Sequence, residues 1–163
     1  MARSSPAEAV FFYTDDSRFN GLLSEPGKLK ATGATSAIEL NFTTSDNHPA
    51  ALVIADFWRK KKLASVWQEH GIRIAVDLNI SPRYLPLAFV GVPIGWKAYA
   101  NRAYAADLGA LDQAHVMACN HARTDKILYF VYGNQEAAAL CQARGWIHIP
   151  FIHHGVNNGT PTT

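Results

Sequence analysis

Cysteine is nearly absent: Cys119 and Cys141 are the only two in 163 residues. Both fall in segments of helical pattern, which excludes a disulfide framework and predicts reduced thiols. An excess of charge of either sign is also missing. Fifteen Lys and Arg stand against thirteen Asp and Glu, a formal net charge of +2, so overall charge neither drives nor forbids contact with nucleic acid. No stretch approaches the roughly 18 uninterrupted apolar residues of a membrane span, and residues 1–10 lack the apolar core of a secretory signal. The expectation is a cytoplasmic protein with no membrane partner. Phosphate-binding glycine loops, the dinucleotide fingerprint and the nucleophile elbow are all missing. His115 and Cys119 are four apart, but no second ligand pair accompanies them and zinc is not expected. Asn41-Phe42-Thr43 and Asn158-Gly159-Thr160 match the glycosylation triplet; in a cytoplasmic chain both are chance matches.

Hydrophobic residues make up 48% of the chain, enough for one continuous core. Short apolar, β-branched or aromatic runs at 9–13, 37–42, 72–78, 96–100, 127–132 and 146–152 read as six strands. Several are apolar on both faces, as a sheet covered on each side requires. Helical periods lie between them. One opens at Asp46 or Asn47 with Pro49 in its first turn and ends near 59–62; a second covers 63–70 and stops at Gly71. Two more cover 104–121 and 135–144, the latter stopped by Gly145. Alternation of strand and helix predicts an α/β fold, a single domain over 1–154 with a mostly parallel sheet, followed by a frayed tail at 155–163. Six strands fall short of the eight of a full barrel, leaving an incomplete barrel or an open sheet.

In parallel α/β folds ligands bind beyond the carboxyl ends of the strands, where loops converge and helix N-termini point into one crevice. The residues that follow the six strands are polar. They are Asp15, Asp16 and Arg18 after the first, Asn41 after the second, Asp77 and Asn79 after the third, Asn101 and Arg102 after the fourth, Asn134 after the fifth, and His153 with His154 after the sixth. Adjacent carboxylates at Asp15 and Asp16 repel unless a cation or an arginine compensates, and Asp77 ends an apolar run where an unpaired charge is prohibitive. These types suit a site in which Asp15, Asp16 and Asp77 hold Mg²⁺ or Mn²⁺. Arg18 or Arg102 would clamp an anion and His153 would move protons. Asn41, Asn79, Asn101, Arg102 and Asn134 would contact substrate. Helix caps and an Asp–Arg tie in the first loop are the plain structural alternative.

The chain resembles an uncharacterised family found in phages, plasmids and bacterial genomes, catalogued as domain of unknown function 4417. The likeness runs from about Phe11 to Asn134. It is carried by Tyr13-Thr14-Asp15-Asp16-Ser17-Arg18-Phe19, by Pro49, by Trp67-Gln68-Glu69-His70-Gly71-Ile72, by Phe89-Val90-Gly91-Val92-Pro93 and by Tyr132-Gly133-Asn134. Ala100-Asn101-Arg102 departs from the small Ser-Thr pair expected after the fourth strand. The resemblance implies a compact α/β fold and a mobile-element context, and it assigns no catalytic residue.

Two functions fit these features. The first is a metal-assisted hydrolase or phosphodiesterase acting on a nucleotide or nucleic acid. The second is a module without chemistry that binds nucleic acid or protein, accessory to replication or aimed at a host factor. Its contacts would come from the basic run Arg59, Lys60, Lys61 and Lys62, with Trp58 or Trp96 as aromatic anchors.

Overall fold

The computed structural model describes residues 9–104 and 108–151. Six strands, β1 (Ala9–Val10), β2 (Ser36–Ile38), β3 (Arg73–Asp77), β4 (Ala98–Arg102), β5 (Leu128–Gly133) and β6 (Ile147–Pro150), pair in sequence order. Every pairing is parallel. Parallel neighbours need crossovers, and these are built from α1 (Asn20–Ser24), α2 (Lys28–Ala31), α3 (Ala50–Glu69), α4 (Gly109–Ala122) and α5 (Gln135–Arg144). The chain is a single α/β domain, as the alternation of patterns predicts.

Side chains alternate across the sheet with the strand period. From β3, Ile74 and Val76 face the helices, where they join two apolar clusters that contain Trp67 and Phe57 of α3. Ala75 faces the other way, with Ile38 and Ala100. Small residues on this inner face leave room for aromatic rings from both ends of the sheet. Phe11 and Tyr13, just past β1, meet Tyr132 of β5 at centroid distances of 5.2 and 5.1 Å. That contact across the inner face requires strong curvature. The sheet is therefore curled into half a barrel, which decides between the two arrangements the sequence left open.

Four local features differ from the sequence reading. Residues 50–69 form one helix of 20 residues rather than two. Val53, Phe57, Lys60, Leu63, Ala64 and Trp67 make one continuous buried stripe, so the basic run does not interrupt the period. Its N-cap is Pro49, without a side-chain cap, because the Asp46 carboxylate is committed instead to the Ser81 hydroxyl and the Arg83 main-chain N–H. α4 starts at Gly109, later than expected, and β3 is joined to β4 through a 3-10 helix, Pro82–Phe89, whose Pro86 removes a main-chain donor.

Helix ends follow their glycines. Gly71 and Gly145 adopt φ of 77° and 70°, terminating α3 and α5 in the left-handed conformation. Gly133 is required for a different reason. A Cβ there would lie 2.4 Å from the Ala137 Cβ and 2.9 Å from the Ala103 Cβ, so α5 and the segment after β4 close directly over the end of β5. Gly133→Ala should therefore destabilise the fold by about 2 kcal/mol through overpacking. Urea unfolding measures this, and a midpoint equal to wild type would show that α5 is free to shift.

Candidate functional site

The pairing between β2 and β3 ends early. Its last rungs are Ile38 against Ala75 and the Glu39 N–H donating to the Ala75 carbonyl at 3.0 Å. Beyond that point the strands part, and side chains replace the backbone. The Asp77 N–H donates to Glu39 Oε2 at 3.2 Å, and Lys60 Nζ, reaching in from α3, donates to the Asp77 carbonyl at 3.2 Å. Both main-chain groups of Asp77 that a neighbouring strand would have satisfied thus find partners.

Four ionisable side chains meet here. Lys60 and Asp77 are 2% and 1% exposed and lie 3.3 Å apart. Lys60 stands 3.8 Å from Glu39, and Lys61 pairs with the same Glu39 at 2.8 Å. Two lysines face two acids, so the formal charge of the cluster is zero, as burial demands. The Asp77 carboxylate also accepts from the Tyr13 hydroxyl, Asn41 Nδ2 and the Asn79 N–H, each at 3.2 Å. Burial pushes the Asp77 carboxyl above its ordinary range, while Lys60, Asn41 and Asn79 pull it down. Burial, reinforced by Asp77, likewise pushes the Tyr13 phenol up. Burial lowers Lys61 against the opposing pull of Glu39.

Above this cluster opens a cleft of about 500 Å³ at the carboxyl ends of β2, β3 and β4. Tyr13, Thr14 and Asp15 line one side, and Asn41, Thr43 and Thr44 adjoin them. Asn79, Asn101, Arg102 and Tyr104 close the other side, with the first turns of α4 behind. Two buried side-chain polar atoms have no hydrogen-bond partner among the described residues, Trp96 Nε1 and Arg102 Nε. Trp96 lines a separate, shallow groove at the amino ends of the strands; Arg102 lines the cleft. The Arg102 guanidinium lies 5.0 Å from the Tyr104 ring and 5.9 Å from the Phe151 ring. No carboxylate among the described residues neutralises it.

The expected site residues divide accordingly. Asp15, Asn41, Asn79, Asn101 and Arg102 line the cleft. Asp77 lies beneath it and reaches it through Tyr13, Asn41 and Asn79. Asp16 turns away, accepting from the Thr43 N–H at 3.0 Å and the Thr43 hydroxyl at 3.2 Å. Among the described residues no three His, Cys, Asp or Glu side chains are grouped to hold an ion, so Asp15, Asp16 and Asp77 do not surround a common point. Arg18 is exposed and forms no ion pair with either neighbouring acid. Asn134 is the N-cap of α5, accepting from the Ala137 N–H. His153 and His154 lie outside the described residues.

The basic run is not one surface. Lys60 and Lys61 are committed to the buried cluster, Arg59 pairs with Asp56, and Lys62 lies 5.0 Å from the Trp58 ring. A nucleic-acid face drawn from all four would lose two of its cations to the interior. The signal for this was in the helical phase: Lys60 falls seven residues after Val53 and seven before Trp67, on the apolar stripe.

Lys60→Met leaves the Asp77 carboxylate buried without its cation, and should cost about 3 kcal/mol or more where Asp77 is ionised. A raised folded value means that the folded chain holds this proton more tightly than the unfolded chain, whose value is 3.8. Asp77 therefore lowers stability as pH rises from 3.8 through its folded value, and removing the ammonium steepens that fall. Denaturant unfolding of both proteins at several pH values should show the deficit of Lys60→Met shrinking toward acid. A deficit independent of pH would mean that lost packing, not charge, is responsible.

Comparison of the chain with family models, curated proteins and solved structures returned no match.

Proposed function

We propose that the cleft binds a phosphate ester of the nucleotide class, and that the chain is a hydrolase or phosphodiesterase acting on it. The observation that carries this reading is Arg102, a guanidinium in a polar cleft, with a buried Nε that meets no acceptor, and no carboxylate beside it, among the described residues. Leaving a buried donor unmatched costs about 1–3 kcal/mol, and a phosphate paired with the same guanidinium offsets it. Arg is the side chain whose fork suits phosphate best.

Asp15 is the one carboxylate lining the cleft among the described residues. A single carboxylate together with the phosphate oxygens of a bound ligand is an ordinary way of holding Mg²⁺. In this reading Asp15 would hold Mg²⁺ or Mn²⁺ only when the ligand is present, an ion there would supply activation of water, and Arg102 would neutralise the phosphoryl charge. Asp77 supports the cleft floor rather than binding the ion. The phage or plasmid setting implied by the sequence resemblance belongs to the same proposal.

Thermal-shift and calorimetric titrations with nucleoside monophosphates, with and without Mg²⁺, test it. Arg102→Gln should weaken phosphate binding about tenfold or more. Asp15→Asn should remove the Mg²⁺-dependent part of the affinity and leave the Mg²⁺-free part. Wild-type affinity in Arg102→Gln, or no stabilisation of the parent chain by any phosphate ester, would remove the anion site from this cleft.

A further inference from the structure

Hydrogen-bond polarity passes from the buried cluster to the cleft along a chain of forced choices. An ionised carboxylate and a main-chain carbonyl can only accept. Asn41 faces both, Asp77 Oδ2 at 3.2 Å and the Asn79 carbonyl at 2.9 Å, so it must direct Nδ2 at them. Its Oδ1 is then left to face Asn79, which must answer with Nδ2, at 3.1 Å. Asn79 Nδ2 places its second hydrogen on the Tyr104 hydroxyl oxygen at 3.4 Å. Only Asn79 Oδ1 remains, an acceptor in the wall of the cleft without a protein partner among the described residues.

We propose that Asn79 Oδ1 is the specificity-determining acceptor of this cleft, and that the ligand is a phosphate ester carrying a planar N–H-bearing ring, a nucleotide with an amino-substituted base. It rests on the reading of Arg102 as the anion site. Tyr104 supplies the geometry. Its ring lies against the Arg102 guanidinium and its hydroxyl meets Asn79, so the anion donor over the ring face and the free acceptor near the hydroxyl share one tyrosine. Tyr104 is 50% exposed, and a flat ring laid along it reaches toward Asn79 while stacking as bases do on aromatic side chains. Asp77 is the positioning residue. With a neutral amide at 77, a donor must face either Asn41 and Lys60 or Tyr13 and the Asn79 N–H, and the order that exposes Asn79 Oδ1 is weakened, held at Asn41 by the Asn79 carbonyl alone.

The test compares adenosine 5′-monophosphate with purine riboside 5′-monophosphate, which lacks only the amino group, by calorimetry on the full chain. Wild type should bind the amino-bearing nucleotide about fivefold more tightly, the worth of one neutral hydrogen bond. Arg102→Gln should weaken both ligands and keep their ratio. Asp77→Asn should lower the ratio while both ligands still bind. Lys60→Met combined with Asp77→Asn, which removes both members of the ion pair, reads the same ratio should the single variant be unstable. Equal wild-type affinities, with Arg102→Gln still weakening both, would overturn the role of Asn79 and leave the anion site standing. An unchanged ratio in folded Asp77 variants would overturn the positioning role. Loss of neither ligand in Arg102→Gln, or binding of neither by wild type, would overturn both readings.

Discussion

The separation of β2 from β3 beyond Ile38 and Ala75 is the constraint on which the rest of the site depends. Had the backbone ladder continued, the carboxyl ends of the two strands would lie about 4.8 Å apart, and nothing from α3 could pass between them. Instead Glu39 and Lys60 take over as rungs, holding Asp77 by its main chain. The gap admits Asn41 to the carboxylate of Asp77 and to the main chain of Asn79. The floor of the cleft is thus made of side chains, and its polarity is set by charges that lie in the interior.

Curvature is the second requirement. An open sheet would leave Tyr13 far from β5, whereas here it stacks on Tyr132 and still donates to Asp77. The small inner-face residues Ala75 and Ala100 make that possible. Nothing local in the sequence announces the curl. Alanine in a strand reads as a weak strand former rather than as space for a ring arriving from a distant strand, so element type and order were legible while barrel and open sheet were not. The break placed at 62–63 in α3 had the same origin. Four consecutive basic residues look like a solvated helix end, and only the phase of Lys60 against Val53 and Trp67 shows that one of them points inward.

Site legibility followed the same division. The rule that ligands sit beyond the carboxyl ends of parallel strands located Asp15, Asn41, Asn79, Asn101 and Arg102 on one cavity without any knowledge of contacts. It could not say which of these groups are already satisfied. Asp16 has the same strand position as Asp15, yet one turn of 3-10 helix rotates it onto Thr43. Asn134 obeys the rule equally well and is a helix cap. Tyr104 had been expected inside a helix, and its value to the site comes from its being in the loop before α4. Position in the chain selects the neighbourhood; hydrogen-bond accounting selects the members.

That accounting also explains why a cluster of this kind is informative. Burying two acids and two lysines does not raise stability over a well-packed apolar alternative, and replacing such groups by hydrophobic residues is often neutral or favourable. Elsewhere the fold keeps to consistent rules: apolar strands, one buried stripe on α3, glycine at the ends of α3 and α5. The buried charge cluster that departs from them lies directly beneath the cavity. A charge network that gains little for stability but fixes which atom of each amide faces outward serves orientation. The same reasoning applies to Arg102. A guanidinium stacked on Tyr104 and, among the described residues, without an acceptor on a buried nitrogen is costly alone and becomes favourable when it pairs with an anion. The two departures, one below the cavity and one in its wall, therefore point to the same chemistry.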